Sequence, residues 1–190
     1  PALFVVESLL IDDLRRQGRV ASFLAGHSLG EVVALYAAEV FDAQTALALL
    51  KCRSELMASA GGGAMTAVVG FDRIQLADLV QANPDVVIAN DNSEAQVVLS
   101  GSVEGVKAVS SELKCKRAIP LQVSGAFHSH FMEKAAKAFE SELDLVDFKD
   151  AKIPVISNSD PTPSSDGVAL KNRLKKQMTT GVRWRETMEV

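Results

Sequence analysis

The stretch LAGHSLGEVVALY, residues 24–36, decides the fold of this chain, because an apolar run gives way there to a helical pattern through a glycine-flanked turn. The motif Gly-x-Ser-x-Gly runs from Gly26 to Gly30. A strand, a sharp turn and a helix in this order are the context of a nucleophile elbow, which exposes its serine oxygen at the start of the helix. The stretch therefore predicts an α/β fold with Ser28 as a nucleophile. A serine that only caps the helix is the alternative.

The residues beside Ser28 fit the same interpretation. Gly26 and Gly30 are small, which predicts close packing of the strand and the helix around the turn. The backbone N–H of Leu29 follows the serine and points to the place where an oxyanion would form.

The composition limits the classes of function. With 47% hydrophobic residues and a net charge of −4, the 190-residue chain is typical of a globular domain that can carry a smaller insertion, and not of a nucleic-acid-binding surface. Cys52 and Cys115 form no CxxC pair, so neither a disulfide framework nor a zinc site is expected, and both are predicted to be buried thiols. The apolar runs are shorter than the roughly 20 residues that span a bilayer, and no signal peptide is recognised at the N-terminus.

Outward from the elbow, the apolar spacing predicts helices and short buried strands. The expected core elements are a helix over 1–17 that ends at Gly18, a strand over 20–25, and helices over 31–40 and 42–60, the last capped by Asp42. Farther along the chain, a loop enters a helix after residue 123, a buried strand lies within 152–160, and helices are expected over 168–178 and 182–190.

The pattern between residues 64 and 123 has the order β-α-β-β-α-β, which is typical of a ferredoxin-like unit. The glycines at 61–63 predict either a hinge into this unit or an ordinary loop. We therefore predict an α/β core formed by residues 1–60 and 123–190, interrupted by a ferredoxin-like α+β subdomain at 61–122.

A serine hydroxyl needs a neighbouring base before it becomes a good nucleophile. The chain has three histidines. His27 adjoins Ser28 in the turn, where successive side chains diverge, so it is a poor base. His128 and His130 lie in GAFHSHFM, a loop before a helix, and functional side chains often project from such loops. The spacing alone leaves both open, and a surface histidine remains the alternative for each.

Arg53 lies on an otherwise apolar helix. Such an arginine often extends its charged end into water. If it faces Ser28 instead, its planar fork can hold a substrate carboxylate in a bidentate pair and select an acyl group with an acid at its far end.

Together these residues resemble the malonyl-CoA:acyl carrier protein transacylases and the related acyltransferase domains of fatty-acid and polyketide synthases, over nearly the whole chain. GHSLGE resembles the nucleophile motif of that family, and Arg53 stands where the family keeps its malonyl-carboxylate arginine. GAFHSH resembles the catalytic-histidine motif, which implies His128 rather than His130 as the base. The resemblance also implies that the α/β core is hydrolase-like.

Three further site residues are implied by the resemblance. ANDNSEAQVVLSG is similar to a segment that places an asparagine, here Asn90, at the active site. QMTTGVRW is similar to a segment in which a glutamine, here Gln177, turns its backbone carbonyl toward the histidine; Asp160 is a weaker candidate for that orienting role. Phe127 resembles the residue of malonyl-selective members, where its bulk would disfavour an extra methyl group by about 1 to 3 kcal/mol.

The implied reaction moves a malonyl group from coenzyme A to the phosphopantetheine thiol of an acyl carrier protein through a malonyl-serine intermediate. It implies no metal and no cofactor, with malonyl-CoA as substrate. The expected partners are malonyl-CoA and the carrier protein, with no nucleic acid or membrane, and the expected state is a cytoplasmic monomer, or an organellar one if a transit peptide precedes residue 1. A serine thioesterase or esterase and a non-catalytic carrier-protein docking domain are the alternatives. A free-standing enzyme and a synthase module both stay open.

Two segments that the family usually has do not occur in these 190 residues. A Gly-Gln-Gly loop, whose glutamine N–H completes the oxyanion hole, would precede Pro1, and a closing strand would follow Val190. We therefore expect the chain to be part of a longer polypeptide. A protein without the loop should be weakly active at best, since losing one oxyanion donor costs about a hundredfold or more.

Overall fold

The computed structural model describes residues 2–190 and has a mixed α/β architecture with one parallel and one antiparallel sheet. A short 3₁₀ turn covers His130–Met132. The helices and strands, in chain order, are α1 (Ala2–Arg16), β1 (Leu24–Ala25), α2 (Leu29–Ala37), α3 (Ala43–Ala60), β2 (Ala64–Phe71), α4 (Arg73–Ala82), β3 (Val86–Ser93), β4 (Gln96–Gly101), α5 (Val103–Glu112), β5 (Cys115–Pro120), α6 (Glu133–Asp144), β6 (Val155–Ile156), α7 (Gly167–Lys176) and α8 (Trp184–Thr187).

The parallel sheet carries the elbow. It pairs β1 with β6, Leu24 opposite Val155 and Ala25 opposite Ile156. The prediction of a buried strand over 20–25 is wrong in its length and in its burial: the strand covers only Leu24–Ala25, where Leu24 is half-buried and Ala25 is exposed, and Val20 is 90% exposed. Because the partner strand β6 has two residues, the hydrogen-bonded ladder also ends after two residue pairs. The strand predicted within 152–160 is also short, since it covers only Val155–Ile156.

The helices around the elbow form the larger core. Asp42 caps α3 as predicted, since its side chain accepts a hydrogen bond of 2.8 Å from Thr45 N. Gly18 follows α1 with a φ of +70°, which confirms the predicted stop. The buried apolar side chains of α2, α3, α6 and α7 make one continuous cluster, which includes Leu35, Leu50, Phe139 and Leu174.

The apolar side chains of α1 are largely exposed. The helix itself is confirmed, but Leu3, Leu10 and Leu14 are each about half exposed or more, and Phe4 is its buried residue. The reason is that α1 packs chiefly against α2 among the elements within residues 2–190.

The antiparallel sheet has the strand order β3-β4-β2-β5, with every neighbouring pair antiparallel. Two helices connect its strands in the order β-α-β-β-α-β, which is the ferredoxin-like topology expected from the sequence. A second apolar cluster, separate from the larger core, fills the space between this sheet and α4 and α5, with Val68, Leu76, Leu99 and Val106 at its centre. The boundaries of the subdomain at 61 and 122 stay a prediction.

The glycine triplet joins α3 to this sheet. All three glycines have positive φ angles, from +55° to +81°. A Cβ on Gly63 would lie 2.6 Å from both the Ala126 Cβ and the Gly101 carbonyl oxygen. Gly63 is therefore required by close packing as well as by its backbone angle, whereas the hinge role stays a prediction.

Two smaller findings complete the fold. Cys52 and Cys115 are free and partly exposed, so the prediction that both are buried is wrong. In residues 2–190 no helix combines the length and the apolar character that crossing a bilayer demands.

Candidate active site

The turn between β1 and α2 is as tight as the motif predicts. A Cβ on Gly26 would lie 1.9 Å from the Gly30 carbonyl oxygen, so no other residue fits there. A Cβ on Gly30 would meet no described atom within 4 Å, so only the first glycine is needed for this packing. Ser28 itself has a φ of +53°, a left-handed conformation that non-glycine residues adopt at a cost and that is common at functional sites.

The Ser28 side chain faces the interior of the site rather than the helix. Ser28 occupies the N-cap position of α2, but its hydroxyl makes no capping hydrogen bond. Ser28 Oγ lies 2.8 Å from His128 Nε2 and accepts a 3.0 Å hydrogen bond from Arg53 Nη2. The structure therefore does not support the helix-capping alternative, and it brings together three residues that are 25 to 100 positions apart in the chain.

The orientation of the His128 ring follows from its second partner. Nδ1 lies 2.9 Å from the backbone carbonyl oxygen of Gln177. Because a carbonyl can only accept, Nδ1 carries the proton, and the lone pair of Nε2 faces the Ser28 hydroxyl. Burial, followed by the positive charge of Arg53, lowers the pKa of His128 to about 4. The imidazole is therefore neutral at neutral pH and able to accept a proton.

The other candidates for base and orienting group lie elsewhere. His130 is exposed in the 3₁₀ turn, with its ring centroid 4.5 Å from that of Phe131. His27 is also exposed, and its Nε2 lies 2.9 Å from Asn92 Oδ1. Asp160 forms an ion pair with Arg173 at 2.9 Å. The histidine thus has a backbone carbonyl as its partner, not the carboxylate that a triad hydrolase would use.

Arg53 is buried, with 4% of its surface exposed, so it does not extend into water. Its Nε donates to Gln177 Oε1 at 3.1 Å. Burial lowers the pKa of Arg53 to about 10, and the guanidinium stays positively charged at neutral pH. None of the ion pairs among residues 2–190 involves Arg53, so its charge has no direct carboxylate partner there.

A pocket of about 310 Å³ opens beside Ser28 and Arg53. Phe127 lines it together with Met57 and Ser124. The half-buried Phe127 side chain packs both on the larger core and on an apolar cluster of the antiparallel sheet. The pocket therefore lies where the α/β core meets the ferredoxin-like sheet.

The two backbone N–H groups at the elbow have different roles. Ser28 N–H donates to Asn158 Oδ1 at 2.6 Å. Leu29 N–H, at the first position of α2, takes part in no hydrogen bond within the part of the chain that is described. A free N–H at a helix N-terminus favours negative charge, so Leu29 can stabilise an oxyanion.

Asn90 is a predicted site residue with a polar side chain that lies outside this hydrogen-bonded group. It is buried on β3, opposite Val98 of β4, and it also bridges to Val182 after α7. Among residues 2–190 its side chain makes no hydrogen bond to any other member of the site. Its role in substrate binding stays a prediction.

Two residues that the sequence analysis did not select hold the site together. Asn158 follows β6 and clamps the elbow, since its Nδ2 also donates to the Gly26 carbonyl at 2.7 Å. Glu31 is fully buried on α2 and accepts hydrogen bonds from Asn158 N at 3.1 Å and Gln177 Nε2 at 2.7 Å. Two features of the sequence could have indicated these roles. Glu31 is the one acid in the apolar helical pattern EVVAL, and Asn158 is a polar residue just after a predicted buried strand.

Comparison with known proteins places this geometry among acyltransferases. Residues 1–189 match the family model described as acyl transferase domain. Over 188 residues the chain is 53% identical to the malonyl CoA-acyl carrier protein transacylase of Synechocystis sp. (strain ATCC 27184 / PCC 6803 / Kazusa). That alignment covers 99% of this chain and 64% of the relative, so the chain spans somewhat less than two thirds of that protein.

Solved structures agree with the sequence match. The crystal structure of the Synechocystis sp. PCC 6803 transacylase superposes with a TM-score of 0.97, covering 98% of this chain and 64% of that one. A type II polyketide synthase acyl-carrier protein in complex with its malonyl-transacylase gives a TM-score of 0.92 at 32% identity, with 100% of this chain and 64% of that one covered.

Proposed function

We propose, from the premise that this chain belongs to the acyl transferase domain family, that the protein transfers a malonyl group from coenzyme A to the thiol of an acyl carrier protein. The observation that carries the proposal is the convergence of a nucleophile, a neutral base and a cation without a carboxylate partner. Ser28 Oγ lies within 3.0 Å of both His128 Nε2 and Arg53 Nη2.

In the first half-reaction, His128 Nε2 accepts the hydroxyl proton while Ser28 Oγ attacks the thioester carbonyl carbon. The negative charge that develops on the carbonyl oxygen is stabilised by the Leu29 N–H and the N-terminus of α2. When the tetrahedral intermediate collapses, the C–S bond breaks and His128 returns its proton to the sulfur of the leaving coenzyme A. The malonyl group is then an ester of Ser28.

The second half-reaction reverses the roles. His128 takes the proton of the carrier-protein thiol, whose sulfur attacks the malonyl ester, and then protonates Ser28 Oγ as the C–O bond breaks. The Gln177 carbonyl keeps the same imidazole nitrogen facing Ser28 in both directions, because it accepts from Nδ1 at 2.9 Å. The choice of a carrier protein as acceptor rests on the relatives, one of which is solved with its acyl-carrier protein.

Arg53 accounts for the choice of malonyl. Its Nε and Nη2 are already engaged, whereas Nη1 makes no hydrogen bond to the rest of residues 2–190. A malonyl carboxylate in the pocket would supply the missing anion. An acetyl group would leave a buried guanidinium with an unsatisfied donor, which is unfavourable.

Mass spectrometry after brief incubation with malonyl-CoA tests the proposal. We expect a malonyl adduct on Ser28 that a holo acyl carrier protein then removes, and no adduct on a Ser28→Ala variant. Release of free malonate as the main product, with carrier protein present, would favour the thioesterase alternative. A folded protein that forms no adduct at all would favour the docking-domain alternative.

A further inference from the structure

Glu31 is a buried acid that the reaction described above does not use. Its side chain is fully buried on α2, one helical turn after the nucleophile. Burial raises the pKa of Glu31 above its ordinary value, although hydrogen bonds from Gln177 and Asn158 oppose the shift. A buried acid is unfavourable without good partners, so its presence beside Ser28 calls for an explanation.

Gln177 is the residue that links Glu31 to the reacting groups. Its backbone carbonyl holds His128, and its side-chain Oε1 accepts from Arg53 Nε. Its Nε2 donates to the Ser28 carbonyl at 2.9 Å and to Glu31 Oε2 at 2.7 Å. One glutamine therefore contacts the nucleophile, the base and the carboxylate-binding arginine.

The direction of the Gln177 amide matters because its two ends are chemically different. If the amide were turned over, its NH₂ group would face the N–H of Arg53, and its oxygen would face two other oxygens, those of Ser28 and Glu31. Glu31 offers a side-chain acceptor on the Nε2 side and thereby favours the orientation in which Oε1 meets Arg53.

We propose that Glu31 is a positioning residue: its carboxyl oxygen holds Gln177 so that the side-chain Oε1 faces Arg53 while the backbone carbonyl of the same residue faces His128. The same oxygen also accepts from Asn158 N, and Asn158 in turn holds the Ser28 N–H. Glu31 thus fixes the elbow, the base and the arginine relative to one another without touching substrate. The consequence for substrate choice rests on the malonyl transfer proposed above.

Two substitutions separate the acceptor oxygen from the volume of the side chain. Glu31→Met keeps an unbranched chain of similar size but removes the acceptor, whereas Glu31→Gln keeps one oxygen that can accept from both donors. We expect Glu31→Met to lower the rate constant for malonylation of Ser28 by about 10- to 100-fold, because small displacements of reacting groups are that costly. We also expect it to reduce the preference for malonyl-CoA over acetyl-CoA, and Glu31→Gln to restore much of both.

Val32→Ala is the matched control for general destabilisation, since Val32 is buried in the larger core on the same helix. Its thermal midpoint should fall while the malonyl-over-acetyl preference stays native. A folded Glu31→Met protein with the native rate and preference would overturn the proposal. A Glu31→Gln protein as impaired as Glu31→Met would also overturn it, because the acceptor oxygen would then be insufficient.

A measurement without substrate keeps this test independent of the transfer reaction. The His128 Nδ1–H proton, hydrogen-bonded to the Gln177 carbonyl, should give a downfield NMR signal that is present in the native protein and in Glu31→Gln, and displaced or lost in Glu31→Met. If the native protein forms no malonyl-serine, the proposed function fails, and this signal still decides the role of Glu31. An unchanged signal in Glu31→Met would refute the positioning role.

Discussion

Two polar networks in this protein use arginine in opposite ways. In the active-site network, burial lowers the pKa of Arg53 to about 10, and no carboxylate pairs with it directly within residues 2–190. In the surface network of Arg73, Asp91, Glu94, Arg185 and Glu189, hydrogen bonding to Asp91 raises the pKa of both Arg73 and Arg185. In the first network the nearest acid, Glu31, is separated from the guanidinium by Gln177, whereas in the second network both arginines contact carboxylates directly.

The difference has a physical reason that relates to function. Asp91 lies between Arg73, at 2.8 Å, and Arg185, at 3.2 Å, and ties α8 to β3 and to the start of α4. These pairs are partly buried, and water still reaches their side chains and screens them, so each contributes little. A buried cation whose direct hydrogen-bond partners are neutral, as those of Arg53 are, instead has a strong tendency to bind an anion. The active-site network is therefore suited to ligand binding, and the surface network to joining three elements of the fold.

The largest expected effect in this comparison is loss of the base. His128→Ala should lower the rate constant for malonylation of Ser28 by about 10²- to 10⁴-fold, because the serine proton then has no acceptor in place. Quenched incubations with malonyl-CoA, read by mass spectrometry, give the rate. His130→Ala is the matched control, since His130 is exposed in the same segment and should leave the rate native. The opposite ranking of the two variants would reassign the base.

These histidines also show which parts of the site the sequence alone can predict. Local pattern predicted the elbow, the helix with Arg53 and the loop with His128 and His130, because each depends on neighbours in the chain. The choice between the two histidines came from family resemblance, and Glu31 and Asn158 were missed. Their roles depend on contacts between residues 127 positions apart, which local spacing does not encode.

The second prediction concerns substrate choice. Arg53→Ala should reduce the preference for malonyl-CoA over acetyl-CoA by about 10- to 100-fold, which is the range expected when a charge-assisted hydrogen bond is lost. The ratio of the two acylation rate constants measures it. Arg73→Ala removes an arginine of the surface network and should leave the ratio native. An unchanged ratio in Arg53→Ala would exclude that residue from carboxylate recognition.

The third prediction uses the pH dependence of the buried base. Because burial lowers the pKa of His128 to about 4, malonylation of Ser28 should stay level from pH 8 down to about 5.5 and fall only near pH 4. A histidine with the ordinary value of about 6.5 would already have lost about tenfold by pH 5.5. The pH profile of kcat/KM decides between them, and an inflection near 6.5 would mean that water reaches the ring.

The lowered pKa of His128 also makes the stability of the protein depend on pH. The folded state favours neutral His128, so its contribution to the free energy of unfolding is complete above pH 6.5 and is lost as the pH falls toward 4. A His128→Asn variant should therefore lose less stability than the native protein between these two pH values, measured by urea unfolding.

The antiparallel sheet was predicted better than the parallel sheet that carries the elbow. The strands of the antiparallel sheet were predicted in their observed order, since its two central strands, β2 and β4, pair with a strand on either side and consist mainly of buried apolar residues. The elbow strand was predicted too long, and the apolar side chains of α1 are largely exposed. Apolar composition favours burial, but burial requires a partner surface, and an apolar pattern alone does not say which partner is present.

The smallest expected effect tests the surface network. Asp91→Asn should lower the free energy of unfolding by about 1 kcal/mol or less in dilute buffer, because its partners Arg73 and Arg185 remain partly hydrated. The difference from the native protein should shrink in 1 M salt, where screening acts over about 3 Å. Urea unfolding at two salt concentrations measures both quantities. A loss of 3 kcal/mol or more that salt does not reduce would be the behaviour of a buried charge pair, and the contrast between the two networks would then fail.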